Sequence, residues 1–216
     1  MDWKQTGHDA PARVGLNAPR RYDVMIEMGD CYAGLDDAPA ARRYYRQAMA
    51  LDPARAKPHI GLGVLALQAG RSAEALEAFT QAARTEPDCA EAYGGLAMVH
   101  QQQGRYAEAF EMYLTCLELD ADNLTALLGL FQTSCQMGTF AKVIHFLEVY
   151  LDRHPDDASV LFCLASLYVK EDRLHDARDA LRRTVAMEPD KSEAAELLRD
   201  LERRLAADET AGVLNR

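Results

Sequence analysis

The chain has 216 residues, with 34 acids against 24 bases, a net charge of −10 and a pI near 5.1. Its hydrophobic fraction, 49%, is enough to bury a core. The acidic balance repels a polyanion, no basic patch is segregated along the sequence, and nucleic acid is therefore not an expected partner.

The opening segment, residues 1–21, has no apolar stretch of the length a secretion signal needs. It is expected as a flexible tail carrying the single tryptophan, Trp3, with Val14 and Leu16. Two readings of it are open: a linker, or a placeholder that docks in the binding surface. No run approaches the roughly 18–20 apolar residues of a membrane span, so no membrane insertion is expected. Cys31, Cys89, Cys116, Cys135 and Cys163 form no C-x-x-C pair. An odd, scattered set points to reduced thiols and a cytoplasmic location.

From Tyr22 onward the chain is written in a period of 34. Pro53 and Pro87 are 34 apart, as are Pro155 and Pro189, and 68 residues separate Pro87 from Pro155, with Ala121 on the missing beat. Gly70, Gly104 and Gly138 keep the same spacing. Five lines result: 22–55, 56–89, 90–123, 124–157 and 158–191. Numbered within each line, position 7 is Met28, Leu62, Leu96, Leu130 and Leu164. Position 8 is Gly29, Gly63, Ala97, Phe131 and Ala165. Position 20 is Ala41, Ala75, Ala109, Val143 and Ala177, and position 24 is Tyr45, Phe79, Tyr113, Leu147 and Leu181.

Each line predicts two helices. Positions 4, 7, 8 and 11 share one helical face, and so do 20, 24 and 27. Glycine at position 15 ends the first helix, where a left-handed residue is wanted. Proline at position 32 stops the second. Small residues at 8 and 20 let the two helices approach, and the aromatic at 24 fills the space beside them. The fourth line departs: Phe131, Val143 and Tyr150 are large where their counterparts are small, and Ser134 is small where Tyr32 and Tyr168 are aromatic. This is either a volume-conserving exchange or a change of helix angle that reshapes a binding surface. Residues 192–207 predict one more helix. Its stripe of Leu197, Leu198, Leu201 and Leu205 would cover the apolar end of a stack. Residues 208–216 are expected as a flexible tail.

This pattern resembles the tetratricopeptide repeat, which reads W-x2-L-G-x2-Y, then A-x3-F, then P over 34 residues. The first line reads Met25-x2-Met28-Gly29-x2-Tyr32, Ala41-x3-Tyr45, Pro53, and the second His59-x2-Leu62-Gly63-x2-Ala66, Ala75-x3-Phe79, Pro87. The third reads Tyr93-x2-Leu96-Ala97-x2-His100, then Ala109-x3-Tyr113. The fifth reads Leu161-x2-Leu164-Ala165-x2-Tyr168, Ala177-x3-Leu181, Pro189. The resemblance covers residues 22–191 and implies an all-α, right-handed solenoid superhelix of five helix pairs with a C-terminal capping helix.

It also implies a concave ligand face built from positions 2, 5, 9, 12 and 13 of each first helix. At about 100° per residue these point away from the core stripe. Carried onto this sequence, the groove residues are Ile26 and Asp30 in the first repeat, and Ile60, Val64, Leu67 and Gln68 in the second. Met98, Gln101 and Gln102 follow in the third, then Leu128, Gln132, Cys135 and Gln136 in the fourth. Phe162, Ser166 and Val169 complete the face in the fifth. Some family members clamp a terminal carboxylate with basic residues and asparagines; here Ile26, Asp30, Val64 and Glu91 stand in that region. Apolar patches edged by glutamines remain, which suit an amphipathic helix or extended apolar segment of another protein. Alternatively, part of the stripe is inter-helix core or is covered by the chain's own tail.

Thr133, Ser134 and Cys135 lie side by side, but the register places Ser134 in the core and Cys135 on another face. His145 sits on the second helix, away from that cysteine, so no nucleophile–base pair is expected. The histidines do not share a face, and no metal or cofactor is expected. The expected function is a protein-binding adaptor or scaffold without catalysis. A holding chaperone for a secreted or assembly-bound client is the alternative, and an enzyme comes third. Homo-oligomerisation is open but not predicted.

Overall fold

The computed structural model describes residues 18–214, and among them there are only helices and turns. The tail readings of Trp3, His8, Val14 and Leu16 lie outside the described residues. The first repeat is the pair α1 (Ala18–Gly34) and α2 (Ala38–Leu51), and the second is α3 (Lys57–Gln68) and α4 (Ser72–Thr85). The third is α5 (Ala90–Gln102) and α6 (Tyr106–Leu119). The fourth is α7 (Leu124–Met137) and α8 (Ala141–Arg153), and the fifth is α9 (Ala158–Lys170) and α10 (Leu174–Met187). The last helix is α11 (Ser192–Leu214). Each helix packs on its sequence neighbours, giving the all-α solenoid.

Two boundaries differ from expectation. Among the described residues the first helix already runs from Ala18, ahead of Tyr22, with Pro19 near that end. The last helix runs on through Leu214 instead of ending near 207, since no glycine or proline interrupts it until Gly212.

All five intra-repeat turns use one device. Position 15 is left-handed in each: Gly70, Gly104 and Gly138 at φ 69–71°, but also Asp36 at 58° and Asp172 at 56°. Aspartate tolerates this region better than most residues. The next amide then donates back to the carbonyl of position 11, as from Asp37 to Tyr32, Arg71 to Ala66, Arg105 to His100 and Arg173 to Tyr168. The second helices end alike. Asp52, Glu86, Asp120, His154 and Glu188 each leave the helix before position 32, including at Ala121, where no proline enforces it.

The small residues do more than bring one pair together. A methyl added at Gly29 would lie within 3.0 Å of the Tyr45 ring, and one at Gly63 within 3.0 Å of Phe79. Position 6 of the following repeat meets the same ring from the other side: Gly61 faces Tyr45, Gly95 faces Phe79, and Gly129 faces Tyr113. Each ring at position 24 is thus clasped between its own first helix and the next. Where the ring becomes Leu147, position 6 of the next repeat becomes Cys163.

The fourth repeat departs from the others in packing as well as in sequence. Of its exchanged residues Val143 and Ser134 are fully buried and Tyr150 is 7% exposed, while Phe131 is half-buried against the same core. Its two helices also lie less closely together than the pair of any other repeat. Helix α11 packs on α10 with Leu201 buried, and Arg182 holds Glu202 at 2.7 Å. Ala194 is buried beside it, and Leu197, Leu198 and Leu205 pack partly against the same core.

Candidate functional site

The first helices carry the residues expected in the groove, and the helical period decides which of them reach solvent. Val64 is 39% and Met98 38% exposed, high for apolar side chains in the middle of an array. Asp30, Gln68, Gln102, Gln132, Cys135 and Gln136 are exposed as well. Ile60, Gln101, Leu128, Phe162, Ser166 and Val169 are half-buried.

Two residues of the expected groove belong to the core instead. Ile26 packs in the cluster of Tyr22, Tyr45 and Leu65, and Leu67 in that of Phe79, Leu96 and Val99; both are 8% exposed. The reason is local. A branched residue on the next first helix, Leu65 in one case and Val99 in the other, belongs to the same cluster.

One recess on the expected groove face lies between α5 and α7. Met98, Gln101, Gln102, Thr125, Leu128 and Gln132 surround a recess of about 380 Å³, with Tyr113 and Gly129 also lining it. The polar atoms are ordered in a chain. The Tyr113 hydroxyl donates to Gln101 Oε1 at 2.6 Å, and Gln101 Nε2 donates to Gln132 Oε1 at 3.2 Å. Burial pushes the Tyr113 phenol up to about 12. At the first repeat the Tyr45 hydroxyl donates to Asp30 Oδ1 at 2.7 Å. Sequence reasoning took both tyrosines as core filler only. The signal was available: position 24 is tyrosine where a polar groove residue lies within reach, and Phe79 where the neighbouring groove residue is Val64.

The Thr133–Ser134–Cys135 triplet is resolved by its hydrogen bonds. The Thr133 hydroxyl donates to the Gly129 carbonyl and that of Ser134 to the Phe131 carbonyl, both at 2.7 Å. Each hydroxyl is committed to its own helix, and Cys135 faces solvent. Among the described residues no three His, Cys, Asp or Glu side chains gather as a metal-ion site, and no helix is long and apolar enough to cross a membrane. The absence of a basic patch needs one amendment. Helix α2 carries Arg42, Arg43 and Arg46 and no acid, although Arg42 lies 3.9 Å from Glu74.

No curated protein matches the chain in sequence. Solved structures do. PilF of Pseudomonas aeruginosa shares 22% identity at a TM-score of 0.71, over 92% of this chain and 90% of that one. A MamA protein shares 18% at 0.62, over 81% and 96%. YrrB, described as a TPR protein with an unusual peptide-binding site, shares 16% at 0.63, over 81% and 90%. At such identities the likeness shows the fold alone. Family models described as tetratricopeptide repeat match residues 26–79, 60–123 and 100–161. With the repeated helix pairs, the left-handed turns and the clasped rings, these matches place the chain in the tetratricopeptide repeat family, a fold of protein–protein interaction.

Proposed function

We propose that the chain is an adaptor that holds an apolar or amphipathic segment of another protein in its concave groove, without catalysis of its own. The observation that carries this reading is the recess between α5 and α7. Exposed Met98 and half-buried Leu128 offer apolar contact there, beside a glutamine pair whose hydrogen-bonding capacity is not exhausted. Gln132 Nε2 has no acceptor among the described residues. Uncharged amides next to apolar side chains suit a segment that brings both side chains and free backbone groups. The five free thiols support work in a reducing compartment such as the cytoplasm.

The test is a paired measurement on Val64→Glu/Met98→Glu. Both positions are exposed, so the melting temperature should hardly move, exposed substitutions usually changing stability by about 0.5 kcal/mol or less. Affinity-purified complexes should lose the partner that the unaltered chain retains, because an unpaired carboxylate is costly at a buried interface. A folded double variant that keeps its partner rejects the groove. A partner that precipitates when released, and is soluble only in the complex, would turn the adaptor into a holding chaperone.

A further inference from the structure

Five of the six first-type helices have a second-type helix of the preceding repeat seated on them: α2 on α3, α4 on α5, α6 on α7, α8 on α9 and α10 on α11. The seat is built from fixed positions. Position 6 takes the preceding ring, as Gly61, Gly95 and Gly129 do. Position 11 reaches position 25 of the preceding helix: the Tyr168 hydroxyl donates to Glu148 Oε1 at 2.6 Å, and Arg182 donates to Glu202. Positions 4, 7 and 11 of α3, which are His59, Leu62 and Ala66, line a recess together with Arg42 and Arg46 of α2.

On α1 the same positions are Met25, Met28 and Tyr32, and no described helix covers them. Tyr44 of α2 extends the face, stacked on Tyr32 with ring centroids 5.3 Å apart. Met25, Met28 and Tyr32 are half-buried, less covered than Leu161, Leu164 and Tyr168 beneath α8 at 1%, 5% and 8% exposed, though His59 and Leu62 beneath α2 are half-buried as well. At the centre, where α3, α5 and α7 have glycine and α9 has Cys163, stands Glu27. It is exposed and makes no hydrogen bond or ion pair among the described residues.

We propose that this end face is a second docking surface, and that its occupant is an amphipathic helix of a partner protein. The helix would present an apolar stripe to Met25, Met28 and Tyr32 and a lysine or arginine to Glu27. The helical form follows from the geometry, since every equivalent seat in the molecule holds a helix. The basic residue follows from Glu27, because an aromatic ring pressed on a carboxylate would strip its water without pairing its charge. In the sequence of residues 1–17, Gly7, Pro11 and Gly15 are residues of low helix propensity.

The probes are two fluorescein-labelled peptides: the α4 sequence, residues 72–85, and the same peptide with Phe79→Lys. Titrated with the full chain, the lysine peptide should bind at least ten-fold tighter than the phenylalanine peptide. Glu27→Lys should abolish that preference, and Glu27→Gly should reverse it; circular dichroism checks that both variants fold. Val64→Glu/Met98→Glu should leave peptide binding unchanged, which separates this surface from the groove. Three results overturn the proposal. One is a lysine preference that survives Glu27→Lys, or no binding by either peptide. The second is binding only after residues 1–17 are deleted, which assigns the face to the chain's own segment. The third is a dimer of the unaltered chain that Met28→Glu dissociates, which assigns it to a second copy.

Discussion

A methyl group tests two different constraints at two glycines. Gly129 is helical, and its added methyl would collide with the Tyr113 ring, which is 2% exposed and cannot swing away. Gly129→Ala should therefore cost about 1–3 kcal/mol as overpacking, outweighing the roughly 1 kcal/mol by which alanine favours a helix. Gly70 has open space around it but φ of 69°. Gly70→Ala should cost about 1–2 kcal/mol through backbone strain alone. Urea unfolding of both variants separates the causes, because only the Gly129 loss should be recovered by Tyr113→Leu. The buried phenols set a further expectation. Burial pushes Tyr22 and Tyr113 from 10.0 up to about 12. Their folded values are raised, so their contribution to stability is complete below pH 10 and is lost as pH climbs towards 12. The melting temperature should decline over that window, and less steeply in Tyr113→Phe.

At the scale of the helix, the fourth repeat and the cap are the informative cases. Phe131 at position 8 and Leu147 at position 24 invert the small–large order of the first two repeats. Phe131→Ala alone should cost about 3 kcal/mol by leaving a cavity. Adding Leu147→Phe should restore at least about 1 kcal/mol, and a double-mutant cycle showing no coupling would end the exchange reading. Truncation after Asp190 should bare Leu181 and Val185, fraying or aggregating the fifth repeat while the third keeps its protection from hydrogen exchange. Much of this level was legible in the sequence, because helices, turns and pair packing obey spacings within one period. What was not legible crosses from one period to the next. The glycines at position 6 answer to a ring 16 residues earlier, and Ile26 and Leu67 are buried by residues 39 and 32 further along the chain. Asp36 and Asp172 escaped notice for another reason: a left-handed turn leaves no certain mark when the residue is not glycine.

For the molecule as a whole, stability in a stack is the sum of neighbour contacts, so position in the array matters as much as residue type. Leu96 lies in the middle, in one cluster with Phe79 and Val99. Leu96→Ala should cost about 2–5 kcal/mol and lower the main thermal transition rather than split off a minor one. A melt unchanged within about a degree would remove the register on which the groove assignment rests.

The clasped rings also determine how such a chain can be recombined. A splice at the 34-residue boundary would deliver each ring with only one of its two walls. The first repeat moved into the interior would bring Glu27 beneath a foreign aromatic. The smallest segment that carries a ring with both walls spans three helices, as α5, α6 and α7 do for Tyr113. A transplantable module in this protein is therefore a repeat and a half, and the described array ends on the same three-helix outline in α9, α10 and α11, with Leu181 where the ring would stand.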